Sequence, residues 1–261
     1  MNFKYLKDNK NLLLMRKKNA IKYADAVSFI SPVHEKSGAE KSISIPELLE
    51  KDSITVDVVI NTTKIMDSHS DVHMDGIWNK SVKEQKNLYH LQEHQMKFDH
   101  VISDNVKAEI KKIAWEDLGF SFDGETEALV FRSVIEKARN PFMYEQYVMG
   151  YVKEHSVGMR YMKLFLCINS EDKYYKEEKE NWDKYIGNVI NKSEAEELGY
   201  FWAVTEAKIV EGSAVLKASN PATPTLSIED KFEPSNDTQN EQPKGTHGFL
   251  EKLGSNLNSK K

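Results

Sequence analysis

Cysteine is nearly absent from this 261-residue chain: Cys167 stands alone. One thiol cannot close an internal disulfide, which fits a reducing compartment. Its neighbours Leu164, Phe165, Leu166 and Ile168 make it a packed small hydrophobe rather than a reactive thiolate. Long apolar runs are missing too. No stretch approaches the ~20 apolar residues a membrane helix requires, and Leu12 to Met15 is too short for the apolar core of a signal peptide. The expectation is a protein that acts where it is made, with no membrane partner. An excess of positive charge is also lacking. The formal net charge is -5, and coating nucleic acid needs a positive face, so no nucleic-acid partner is expected. Internal repeats are not evident.

What is present belongs to an ordinary globular chain. With 39% hydrophobic and 30% charged residues it has enough apolar material for one sizeable core and too much for a disordered chain. Three regions follow: a basic arm and extension over 1–51, a compact domain over 52–220, and a polar, flexible tail over 221–261. The arm carries Lys4, Lys7, Lys10, Arg16, Lys17, Lys18 and Lys22 against Asp8 alone. It reads as a solvated amphipathic helix or as a contact for an acidic partner. In the tail, Gly248 to Leu257 has apolar residues at near-helical spacing and would suit a short docking helix.

Inside the domain, Ile54, Val56, Val58 and Ile60 alternate as in a half-buried strand. Further strands are predicted over Asn87 to Glu93, Val106 to Trp115, Ala128 to Ile135, Ser156 to Ile168 and Ala207 to Leu216. Helices fit Ile77 to Lys86, Pro141 to Val152 with proline in the first turn, and Ser193 to Leu198 behind a Ser193/Glu196 capping box. The sum is a β-rich α+β domain. The charged block Glu171 to Lys184 reads as a surface insertion carrying a solvated helix.

Five of the eight histidines, His69, His73, His90, His94 and His100, crowd into about thirty residues. The string His90-Leu91-Gln92-Glu93-His94 matches the inverted zinc-protease pattern, which needs both imidazoles on one helical face and Glu93 beside the metal-bound water. The segment alternates like a strand instead, and on a strand the two imidazoles would stand ~13 Å apart. Asp67, His69, Asp71, His73 and Asp75 would share a face if extended, although a polar turn before a helix opened by Gly76 is the plainer account. No metal or other cofactor is expected.

A third chemistry starts from Glu154-His155-Ser156-Val157-Gly158-Met159-Arg160. A serine hydroxyl becomes a nucleophile when a base takes its proton and a third group fixes that base. Gly158 would let the backbone pass close to a substrate carbonyl, and Arg160 could hold charge near an oxyanion. Adjacent side chains on a strand point to opposite faces, so His155 is a poor partner for Ser156.

Three separated segments, Asn87 to Gln95 (NLYHLQEHQ), Glu154 to Arg160 (EHSVGMR) and Ile209 to Pro224 (IVEGSAVLKASNPATP), together resemble the prohead proteases of tailed phages, which share a fold with the herpesvirus maturation proteases. The match covers roughly Ser53 to Thr225. The resemblance implies an antiparallel, barrel-like sheet with surrounding helices. It implies that Ser156 is the nucleophile, His94 its base and Glu211 the orienting acid, with His155 and Asp99 as alternative third members. This chain departs from the pattern at Gln95, where the family has an aspartate, and at the insertion. The implied activity is serine endopeptidase cleavage of scaffolding protein, of an arm of the major capsid protein and of the protease itself. The implied setting is the assembling prohead in the host cytoplasm, and the implied assembly includes a homodimer. An inactive capsid-assembly or scaffold component with the same fold, and a zinc protease using His90, Glu93 and His94, stand as alternatives.

Overall fold

A computed structural model describes residues 2–19 and 44–229. The apolar patch at 27–30 and the segment at 248–257 lie outside the described residues. In chain order the elements are helices α1 (Phe3–Asp8), α2 (Lys10–Asn19) and α3 (Ile45–Leu49), then strands β1 (Ser53–Thr62) and β2 (Asp71–His73). Helix α4 (Asn79–Lys83), strands β3 (His90–Gln92), β4 (Val101–Ser103), β5 (Val106–Ala114) and β6 (Glu125–Glu136), and helix α5 (Pro141–Val148) follow. Strand β7 (Glu154–Ile168), helices α6 (Lys176–Tyr185) and α7 (Lys192–Leu198), and strands β8 (Tyr200–Val215) and β9 (Thr225–Glu229) complete it.

The architecture is mixed α+β, with two sheets that are largely antiparallel. One runs β5-β6-β1-β9 and is antiparallel throughout; in the other, the 16-residue β8 is the spine. Strand β7 pairs antiparallel along one edge of β8, and the short strands β2 and β3 lie parallel along the other, β3 leading on to β4. Among the described residues the sheets do not close into a barrel.

Alternation explains the core. Val56, Val58 and Ile60 of β1, Leu129 and Phe131 of β6, and Val157, Met159 and Tyr161 of β7 interlock between the sheets. Fully burying one such side chain contributes about 1.5–3 kcal/mol. Gly212 of β8 sits where the two sheets approach closely: a Cβ there would lie 2.6 Å from the Phe131 ring and 2.9 Å from Ile60 Cδ1. Helix α5 closes this core with Tyr144 and Tyr147. It starts where the Asn140 side chain accepts the Met143 N–H and Pro141 fits the first turn, as the sequence predicts, but it ends at Val148 rather than Val152.

Several boundaries differ from expectation. The domain does not stop at 220: the tail's first residues form β9, which pairs with β1 and is pinned by Arg132 bridging Asp57 (3.1 Å) and Glu229 (2.6 Å). Helix α7 begins at Lys192 with Asn191 as its cap residue, so Ser193 lies inside the helix and builds no capping box. Strand β8 starts seven residues before the predicted Ala207 because Phe201 and Trp202 feed two different cores.

The insertion is not merely a solvated helix. α6 buries Trp182 and Tyr185, and its Glu178 is also buried. Lys7 and Lys10 reach Glu178 at 2.6 and 3.0 Å, and Lys17 reaches the buried Asp71 at 2.6 Å. The acidic partner of the basic arm is therefore the chain's own insertion and turn.

Replacing Gly212 by alanine should force Phe131 and Ile60 apart. The expected loss is about 1–3 kcal/mol of unfolding free energy in a denaturant titration; an unchanged midpoint would contradict the close sheet contact.

Candidate active site

Two faces of β8 carry different chemistry because of one extra residue. Across β7 and β8, Gly158 pairs with Glu211 but Met159 pairs with Ile209, leaving Val210 as a bulge. Before it, Ala207 and Ile209 face the core; after it, Gly212 and Ala214 do. A one-residue slip reverses every side chain beyond it, so the bulge turns Glu211 and Ser213 away from the core and onto the face of their partners Gly158 and Ser156.

Glu211 is 0% exposed. A buried carboxylate is costly unless its oxygens are satisfied. His94 Nδ1 lies 2.7 Å from Oε1, and the Ser213 hydroxyl donates to Oε2 at 2.6 Å. Ser213 Oγ in turn accepts the His94 backbone N–H at 3.1 Å, which closes a ring of three hydrogen bonds. Since an ionised carboxylate only accepts, Nδ1 carries the proton and Nε2 of the neutral ring is the basic nitrogen.

His94 reaches this position through an unusual backbone. β3 ends at Gln92, and Glu93 and His94 both adopt left-handed conformations, with φ of 51° and 55°. Consecutive non-glycine residues in that region are strained and persist only where surroundings hold them. Here the Glu93 N–H bonds the Ala214 carbonyl at 2.9 Å, and its carboxylate accepts the Leu216 N–H at 2.9 Å. The turn curls His94 back over Glu211. This geometry excludes the helix that the H-x-x-E-H pattern requires: His90 is on a strand and bonds Ser133 and Tyr147, whereas His94 bonds Glu211.

Ser156, nearly buried, stands on β7 directly opposite Ser213. Opposed side chains on neighbouring antiparallel strands have Cβ atoms roughly 4.5–5.5 Å apart. The serine therefore shares a face with the Glu211–His94 pair, one strand away. Among the described residues none is hydrogen-bonded to the Ser156 hydroxyl.

Gly158 has a reason the sequence did not disclose. A Cβ at this position would lie 1.9 Å from Glu211 Oε1, so the glycine is the space that the carboxylate occupies. Arg160 is on the same face two residues further and is exposed. The alternative third members are placed elsewhere: His155 is on the opposite face, and exposed Asp99 bonds its neighbour His100 at 2.9 Å.

Beneath the site lies a second, fully buried polar cluster. The Tyr147 hydroxyl is 3.0 Å from His90 Nε2 and 2.9 Å from His155 Nε2; His90 Nδ1 is 3.1 Å from Ser133 Oγ, and His155 Nδ1 is 3.0 Å from the Thr223 carbonyl. Burial lowers His155 from 6.5 to about 4, and His90 also well below its ordinary value. Burial likewise raises the Tyr147 phenol and the Cys167 thiol, which fits the packed, unreactive cysteine.

Asp67, Asp71 and His73 could each offer a ligand atom within 4.8 Å of the others. They form the turn and β2 rather than one extended face, and His69 and Asp75 are not part of the group. Lys17 already supplies the cation at Asp71, which also accepts from Tyr161.

A groove of about 730 Å³ opens beside the His94 turn. Leu91, Val101 and Ala138 line it with Tyr89, Met96 and Phe98; Lys97 and the Asp104–Arg139 ion pair, 3.1 Å apart, complete the lining. Phe98 is 95% and Met96 60% exposed. No family model, no characterised protein and no solved structure matches the chain.

Between about pH 4 and 6.5 the unfolded chain binds a proton on His155 that the folded chain does not. Stability is therefore complete above about pH 6.5 and falls on acidification towards 4, by on the order of 3 kcal/mol for this group. Calorimetry across that range should show a falling midpoint; a rise on acidification would contradict it.

Proposed function

We propose that the chain is a serine hydrolase in which Glu211 orients His94 and His94 activates Ser156. The observation that carries this reading is the 2.7 Å Glu211–His94 contact, made through Nδ1 on the face of the sheet that bears Ser156. In particular, we take it to be the prohead protease of a tailed phage, as the three matching segments suggest, with the barrel-like, herpesvirus-protease-like architecture as part of the proposal.

The chemistry follows from the proton positions. Ser156 Oγ attacks a peptide carbonyl while His94 Nε2 takes its proton, and buried Glu211 stabilises the imidazolium at Nδ1. The imidazolium then protonates the leaving amine, and water, activated by the same nitrogen, hydrolyses the acyl-enzyme. Arg160, exposed on the Ser156 face, is the cation proposed to face the developing oxyanion, and Gly158 supports the site by admitting Glu211. The groove beside the His94 turn, with about 730 Å³ of space and apolar side chains such as Leu91, Met96 and Val101 in its lining, is the proposed seat for an apolar side chain of an extended substrate. Scaffolding protein, a removable capsid-protein arm and the chain's own termini are the proposed substrates, met inside the prohead.

Co-expression with the cognate scaffolding and capsid proteins tests the reading. Ser156→Ala should abolish their processing, with a fall of about 10³-fold or more; unchanged processing would exclude Ser156 as nucleophile. Glu211→Gln leaves one acceptor oxygen for two donors and should slow cleavage by roughly 10³–10⁴-fold without unfolding the protein. Filling the groove with Ala138→Trp should raise KM for protein substrates while sparing Ser156 labelling by a small fluorophosphonate; an unchanged KM would move the substrate elsewhere.

A further inference from the structure

The buried chain of hydrogen bonds beneath the site has only one consistent direction. The Thr223 carbonyl can only accept, so His155 Nδ1, 3.0 Å away, bears the proton. In the neutral ring Nε2 is then bare and accepts the Tyr147 O–H at 2.9 Å. With its single proton committed, the Tyr147 oxygen accepts from His90 Nε2–H at 3.0 Å. His90 Nδ1 is thereby left to accept the Ser133 hydroxyl at 3.1 Å. Each donor has one acceptor, and no group is left over.

The ends of this chain matter for the site. His155 immediately precedes Ser156 on β7, and His90 begins the strand that leads four residues on to His94. These strands are not hydrogen-bonded to each other as a ladder: they flank β8 on opposite edges, and only their His90 and His155 rings approach, with centroids 5.9 Å apart. Tyr147, projecting from α5, is the side chain that bonds both.

We propose that Tyr147 is a positioning residue that fixes the separation of the Ser156 and His94 strands across β8 and so holds nucleophile and base in register. The inference rests on the serine-hydrolase reading above. Tyr147→Phe keeps the ring but leaves His155 Nε2 without a donor and His90 Nε2–H without an acceptor. The strands then lose their common anchor while the groove and the Glu211–His94 pair remain.

The test is the saturation kinetics of Ser156 labelling by a small fluorophosphonate on the full chain. Tyr147→Phe should lower the maximal rate by on the order of 10- to 100-fold while leaving the half-saturating concentration unchanged, since the loss is of alignment and not of binding. A folded variant, judged by its thermal midpoint, that labels at the wild-type rate would overturn the proposal. If the variant does not fold, ¹⁵N NMR of the wild type at neutral pH decides: His155 should be the Nδ1–H tautomer and His90 the Nε2–H tautomer. The reverse assignment, or an imidazolium at either site, would overturn it. Labelling that survives Ser156→Ala would instead sink the hydrolase reading and this inference with it. A dead Ser156→Ala beside an unimpaired, folded Tyr147→Phe removes the positioning role alone.

Discussion

A carboxylate with no exposure to water, that of Glu211, is the group around which the rest of the site is arranged. Left unsatisfied in a protein interior, an ionised carboxyl is costly enough that folding would protonate it or expel it. Four local features prevent that. The Val210 bulge aims it off the core, the bare Cα of Gly158 makes room for it, Ser213 donates to one oxygen, and the left-handed turn at Glu93 and His94 brings an imidazole to the other. Remove any one and the carboxylate loses either its space or a partner. The backbone strain at 93 and 94 is thus offset by the hydrogen bonds that the turn completes.

The same strand serves a second constraint on its other face. Gly212 lies between Glu211 and Ser213 and lets the two sheets meet over Phe131 and Ile60. The sequence Glu-Gly-Ser is therefore a period-two code, with site residues at positions one and three and a packing residue at two. Beneath β8, the two histidines and Tyr147 form a neutral, satisfied network, which keeps uncompensated charge out of the core just below the Glu211–His94 pair.

Part of the candidate site was legible in the sequence, and the limits are physical. Alternation located β1, β-branched and aromatic enrichment located β5, β6 and β7, and the two-residue period of a strand put His155 and Ser156 on opposite faces. Comparison of short segments pointed to Glu211 and His94, which the structure brings together. Spacing could not reveal why Gly158 is glycine, because the reason is a side chain 53 positions away across a ladder. Nor could it reveal the bulge, since an extra residue shows only as a break in register against a partner strand. The helical cap at Ser193 failed because tertiary packing starts α7 earlier, and β9 was missed because its pairing with β1 and its Arg132 anchor are non-local. The histidine crowding that suggested zinc dissolves once the backbone is known: His90 and His94 leave the same segment for different sides of the sheet.

In the proposed mechanism Glu211 and His94 make Ser156, and no other hydroxyl, the reactive one. Peptide mapping by mass spectrometry after treating the full chain with a fluorophosphonate measures this directly. The account predicts one adduct, on Ser156, that disappears in His94→Ala with the fold intact. An unmodified Ser156, an adduct on a different residue, or labelling that persists without His94 would contradict it.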